Sequence, residues 1–295
     1  MSEYTIKIYE KGIEDKQAAL GFEVTKDWID FRQTPGDGIK KYYSAPDFDP
    51  ELRLYAFKGD KLVGFITSRI IPESKTEKLR VQHDFPIVLT GFEVVSELLY
   101  EKAVDTWKAK GVKVVEARVG TNWLGTMEQA VKYDYKKKKQ LFMHIQLSVD
   151  KAKPKEISDK KFVDFDPIKD REQLIELYKT NYNWSDEQAI ANYESIINPQ
   201  EGFIFQPVLR EGEKIISRGL LQITDDLKYA LFRPLRPDTK KYFDDYYSYI
   251  IDKAKSKNVK IFQFFLGGPA LSELDFWKSY GFEVKGELFL YEKEI

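Results

Sequence analysis

His83 and Asp84 stand side by side in the stretch 79–89, which reads as a strand. An imidazole changes charge near neutral pH, so His83 has the chemistry to take a proton, with a carboxylate beside it. The plain alternative is a surface histidine on an edge strand. Gly91 follows, directly before a helical stretch. A glycine there lets backbone N–H groups and a helix N-terminus approach an anion, or it simply makes a turn. A second anion-binding candidate lies in 233–241, where Arg233, Arg236, Lys240 and Lys241 accompany Thr239. Such cations clamp phosphates, unless the segment is a solvated loop. His144 reads as a packed or partly exposed residue of a closing strand, and Lys136 to Lys139 as a solvated turn. The aromatics Tyr242, Phe243, Tyr246, Tyr247 and Tyr249 can serve a core, a ligand cleft or an interface between domains.

Composition narrows the chemistry further. The 295 residues include no Cys and two His, which excludes disulfides, thiolate metal sites and a cysteine nucleophile and leaves little for a metal centre. Lys and Arg number 47 against 48 Asp and Glu, a net charge of -1 that argues against nucleic acid and charged membranes as partners. No apolar run is long enough for a membrane span, and the first residues lack a secretory pattern, so a soluble cytoplasmic protein is expected. Charged residues reach 32%, mostly Lys and Glu, a balance that leans toward a thermophile.

The elements that must position these residues occur twice. Residues 108–115 match 255–262 at an offset of 147, and the same offset aligns Met127-Glu128 with Leu274-Asp275, Tyr133 with Tyr280, and Gln140-Leu141-Phe142 with Glu287-Leu288-Phe289. Two copies of one fold follow, 1–149 and 162–295, joined by a charged linker at 150–161. In the first copy we expect a strand at 4–9, a helix at 14–29, a hairpin of 52–57 and 62–70 turning at Gly59-Asp60, a third strand at 79–89 interrupted by Pro86, a helix at 96–110, a strand at 112–119, a helix at 123–133 and a closing strand at 140–149. The second copy follows suit: helices at 171–181 and 186–197, the latter capped by Ser185, a hairpin of 203–209 and 214–223, a strand at 227–232, a helix at 242–257, a strand at 259–266, a helix at 271–280 and a strand at 287–291. That order gives an α/β class with a mixed sheet.

The run Phe276-Trp277-Lys278-Ser279-Tyr280-Gly281-Phe282, the hairpin with Gly64, and Lys108-Ala109-Lys110-Gly111 ahead of Val112 resemble the GNAT (Gcn5-related N-acetyltransferase) superfamily. The resemblance spans both halves. It implies two tandem GNAT-like domains, each a mostly antiparallel twisted sheet flanked by helices. It also implies a CoA-dependent N-acyltransferase that moves an acetyl or other acyl group from acyl-CoA to an amine. By the family pattern His83 or Asp84 would be the base. The pyrophosphate of acetyl-CoA would sit on Val88, Leu89, Thr90, Gly91 and Phe92 in copy 1, or on Arg233, Arg236, Thr239 and Lys240 in copy 2. Both loops are degenerate: Val88 replaces the usual Arg or Gln, Glu93 brings a negative charge to the phosphate position, and copy 2 has no matching Gly. Trp277 and Ala130 stand where the family often has a tyrosine acid. The other reading is a non-catalytic scaffold for a ligand or protein partner. Either a monomer with two packed domains or a homodimer would suit the repeat.

Overall fold

The computed structural model describes residues 3–28, 33–71, 78–155, 161–199, 202–223 and 242–295, and 229–233 by their backbone alone. They form two compact units, Met1–Met143 with Lys285–Ile295, and His144–Val284. The division therefore falls inside a strand rather than at the charged segment 150–161, and the last strand of the second sequence copy is counted in the first unit.

The first unit runs β1 (Thr5–Ile8), α1 (Glu14–Thr25), α2 (Gly36–Tyr43), β2 (Arg53–Lys58), β3 (Lys61–Ile71), β4 (Arg80–His83), β5 (Ile87–Val88), α3 (Val94–Ala109), β6 (Val114–Gly120) and α4 (Thr126–Lys132), and ends in β7 (Lys136–Ser148), which continues into the second unit. The second continues with β8 (Val163–Asp164), α5 (Arg171–Tyr182), α6 (Asp186–Ile197), β9 (Phe203–Phe205), β10 (Pro207–Glu211), β11 (Lys214–Arg218), β12 (Leu220–Ile223), β13 (Tyr229–Arg233), α7 (Phe243–Ser256), β14 (Ile261–Gly267) and α8 (Leu274–Ser279). The final strand, β15 (Glu283–Glu294), passes back into the first unit at Lys285.

In the first unit the strand order is β1-β2-β3-β4-β6-β15, with the first part of β7 beyond β15. Only β4 and β6 pair in parallel among these registers; β1–β2, β2–β3, β3–β4 and β6–β15 are antiparallel. Gly59, at φ 59, makes the tight reversal between β2 and β3 that an ordinary side chain would resist. Pro86 has no N–H to give, and the third strand breaks around it. Consequently the β4–β6 register stops at His83 opposite Ala117, and β5 pairs with β3 alone.

Alternation along the strands sends side chains to two different cores. On one face α3 lays down Val95, Leu99, Tyr100, Ala103 and Trp107, one helical stripe, against Leu54, Ala56, Val81, Ala117 and Val119. On the other, Leu20 of α1 meets Tyr55, Phe65 and Ile87, and Ile39 and Tyr43 of α2 meet Ala18. Helix α2 is an addition to the elements expected from the sequence. Its Gly-Asp-Gly start is poor helix former, but the pair Ile39 and Tyr43, one turn apart and both buried, is the signal that was there to be used. The four lysines Lys136 to Lys139 open β7 and are not a turn: Lys138 pairs with Glu116 at 2.9 Å and Glu292 at 2.7 Å.

In the second unit, β14-β13-β12-β9 form one sheet, with His144 to Ser148 of β7 beside β14, and β11-β10-β8 form another. The break between β11 and β12 is Gly219, where a Cβ would collide with the Tyr246 ring. Tyr246 donates its hydroxyl to the Leu220 carbonyl at 2.8 Å and accepts from the Leu220 N–H at 3.1 Å. Phe243, Tyr246 and Tyr247 are buried, so they serve the core. Ser185 caps α6 as expected and forms a capping box with Gln188.

Candidate functional site

A cleft of about 440 Å³ opens on the α1–α2 face of the first unit. The strands supply its floor at alternating positions: Arg53 from β2, Thr67 and Arg69 from β3, Gln82 and Asp84 at the end of β4, and Arg118 from β6. Gln17, Tyr42 and Tyr43 close it from the helices, and Trp123 and Phe142 from the segment after β6 and from β7. The size and the mixture of aromatic and polar lining are those of a small-molecule site.

Asp84 and Arg118 are the first residues beyond the last registered pair of β4 and β6. They join across the gap as a two-pronged ion pair, Nε to Oδ1 at 2.8 Å and Nη2 to Oδ2 at 2.5 Å. The carboxylate raises the already high pKa of the guanidinium, against the opposing effect of burial. Each carboxylate oxygen keeps a lone pair for a further donor.

His83 is next to Asp84 in sequence but on the opposite face of the sheet. Its ring lies 4.8 Å from Trp107 and 5.2 Å from Phe85, and it is 2% exposed. Nδ1–H donates to the Asp84 main-chain carbonyl at 3.0 Å, since a carbonyl can only accept. Nε2 therefore accepts, from the Tyr135 hydroxyl at 2.8 Å, and Tyr135 in turn accepts from Tyr100 at 3.0 Å. Burial pushes the imidazole down to about 4, so it is neutral at pH 7. His83 is not at a surface edge; it borders the cleft, but its ring packs on the α3 side against Trp107, Phe85 and Tyr135. The alternation of the strand, with Asp84 facing one way and His83 the other, was the available sign.

The expected phosphate loop divides by burial. Val88 pairs with Gly64, and Leu89 is buried with its N–H on the Val63 carbonyl at 2.9 Å. Thr90 and Gly91 are exposed, and Phe92 N–H closes on the Leu89 carbonyl at 3.1 Å. With Gly91 at φ 86 this matches a type II turn, for which the third residue must tolerate positive φ. The Gly91 N–H donates to the Glu93 carboxylate at 2.7 Å, and that bond lowers the Glu93 pKa. The turn thus already holds an anion, the chain's own. Two lysines of the β2–β3 hairpin, Lys58 and Lys61, lie 5.8 and 5.3 Å from the Phe92 ring; Lys58 is ion-paired with Glu3, so Lys61 is the one that adds positive charge, and sequence spacing gave no hint of it.

In the second unit Arg233 is described by its backbone only, and Arg236, Thr239 and Lys240 lie outside the described residues. His144 stacks on Phe265 at 5.1 Å and its Nε2 meets Gln263 Oε1 at 3.0 Å. Trp277 is fully buried among Phe243, Phe264 and Phe282, and Ala130 is buried as well, so both fill cores where the family pattern would put an acid. Among the described residues no cluster of His, Asp or Glu could hold a metal ion, and no helix is long and apolar enough to cross a membrane.

No family model matches the sequence, and no curated protein matches it. Solved structures do. A tandem GNAT protein from the clavulanic acid biosynthesis pathway is 10% identical with a TM-score of 0.61, covering 99% of this chain and 98% of that one. A GNAT-family acetyltransferase from Colwellia psychrerythraea is 16% identical with a TM-score of 0.58, covering 98% and 99%. A GCN5-related N-acetyltransferase from Sphaerobacter thermophilus is 11% identical with a TM-score of 0.56, covering 100% and 96%. At such identities the likeness is one of fold: two GNAT folds in tandem.

Proposed function

We propose that the protein is an acyl-CoA-dependent N-acyltransferase whose acceptor amine binds in the cleft of the first unit. The observation that carries this reading is the parting of the parallel pair β4 and β6 beyond His83 and Ala117, with the polar cleft at that point and the Gly91 turn leading into α3. The turn suits a CoA phosphate: it offers an N–H to an anion, a Cβ at Gly91 would meet open space, and Lys61 stands near. Glu93 is exposed and can give way to a stronger anion.

In this reading the acyl group comes from the thioester. The amine nitrogen attacks the carbonyl carbon, the C–N bond forms, the C–S bond breaks, and the thiolate leaves and takes up a proton from solvent. Asp84 accepts the amine's N–H on its remaining lone pairs and receives the proton lost on attack, with Arg118 holding the carboxylate in place. His83 is a positioning residue: its Nδ1–H fixes the main chain at Asp84.

The self-occupied turn at Gly91 and Glu93 favours a second reading, a scaffold that binds ligand without transferring an acyl group. One experiment separates them. Thiol release from acetyl-CoA is followed in the presence of a panel of amines; the chain has no Cys, so every thiol detected is CoA. Amine-dependent release supports the transferase. No release, with saturable CoA binding by calorimetry, leaves the scaffold; no release and no binding at about 1 mM ends both CoA readings.

A further inference from the structure

Arg53 is 5% exposed, lines the cleft, and makes no ion pair among the described residues. Its Nη1 donates to the Leu52 carbonyl at 3.0 Å and to that of Ser68, while its Nε is buried with no partner. The rings of Tyr42, Tyr43 and Phe48 lie 5.4 to 5.7 Å from its Cζ. Aromatic faces steady a cation but do not neutralise it, and a buried guanidinium without a counter-charge is a costly thing for a fold to keep.

The rest of the lining points the same way. Arg118 and Asp84 cancel each other. Arg69 reaches the neutral Gln82, Nη2 to Oε1 at 2.8 Å, and pairs with no carboxylate among the described residues. His83 is uncharged. Among the described residues two guanidiniums of the lining, on β2 and β3, are thus left over, with a carboxylate able to accept from an amine at the end of β4.

We infer that the cleft takes an amine that also carries a carboxylate, the carboxylate held by Arg53 and Arg69 and the amine directed to Asp84. A guanidinium fork matches a carboxylate with two parallel hydrogen bonds. The cleft volume suits a molecule of amino-acid size, and Tyr42, Trp123 and Phe142 provide apolar contact for its body. The inference rests on the acyltransferase reading for the role of the amine, but binding of the carboxylate needs no acyl-CoA.

The test is calorimetric titration of the full chain, without acyl-CoA, using leucine and phenylalanine, their amides, and phosphoethanolamine. The free acid of at least one amino acid should bind at least about tenfold more tightly than its amide. Arg53→Met should remove that preference, and the exposed Arg69→Gln should reduce it with no loss of Tm. Equal affinity for acid and amide, no binding of either at about 10 mM, or an unchanged preference in folded Arg69→Gln and Arg53→Met would overturn the inference. Tighter binding of phosphoethanolamine than of either acid would overturn the carboxylate assignment. Acid-selective binding without acyl transfer would sink the transferase alone; acyl transfer to amides as readily as to acids would sink the carboxylate alone.

Discussion

Gln140 and Glu287 stand 147 residues apart, the offset of the sequence repeat, and they are hydrogen-bonded to each other, Nε2 to Oε1 at 2.7 Å. Equivalent positions of the two closing strands, β7 and β15, are therefore neighbours within the first unit. A simple duplication would have each copy close on its own last strand. Here residues 285–295 pair along β6, from Leu288 opposite Gly120 to Glu294 opposite Val114.

The Glu93 carboxylate competes with any phosphate for the Gly91 N–H. Glu93→Ala should strengthen CoA binding by roughly fivefold, the worth of one hydrogen bond freed for the ligand. Gly91→Val should weaken it, because φ 86 is unfavourable for a branched side chain. Calorimetry on both variants checks the pair.

Asp84→Asn preserves size and a hydrogen-bonding oxygen but abolishes the proton acceptor. The expected result is a fall in kcat of about 100-fold with the KM for acyl-CoA unchanged. A variant that instead raised only that KM would move Asp84 out of the role given to it.

His83 makes stability depend on pH in a definite direction. Its imidazole sits at about 4 in the fold against an ordinary 6.5. Between those values the unfolded chain binds the proton and the folded chain does not, so stability rises with pH across that window. The full effect is about 3 kcal/mol, present above pH 6.5 and lost as the pH falls to 4. Urea unfolding of His83→Gln beside the parent should show this part of the slope gone.

Tyr246 carries both main-chain groups of Leu220 on one hydroxyl. Tyr246→Phe leaves both without that partner and should cost about 2 kcal/mol or more. Gly219→Ala drives a methyl into the same ring and should cost at least as much. Thermal unfolding reads both.

Much of the fold was legible because local chemistry encodes it. Gly59-Asp60 marked the hairpin, Pro86 the broken strand, and Ser185 the helix start. The cleft was hardly legible. Arg53 lies in Leu52-Arg53-Leu54-Tyr55-Ala56-Phe57, an alternating strand whose single charge falls at a buried position, and no motif surrounds it. Its meaning comes from α2, which is not among the elements expected from the sequence, and from the absence of a carboxylate partner among the described residues. The return of β15 to β6 was invisible for a different reason: strand pairing is long-range, and 285–295 reads the same whichever edge it joins.

That return sets an order of assembly. Residues 144–284 are contiguous, and a growing chain can bring them together as they emerge. The first unit, although its first 143 residues are made earliest, waits with β6 open along one edge until 285–295 have been synthesised. An unpaired edge is a template for any strand nearby. A shortened gene that stops at the apparent end of copy 1 would therefore yield not half a protein but an unfinished sheet, and expressing the halves separately would require the second to lend its tail to the first.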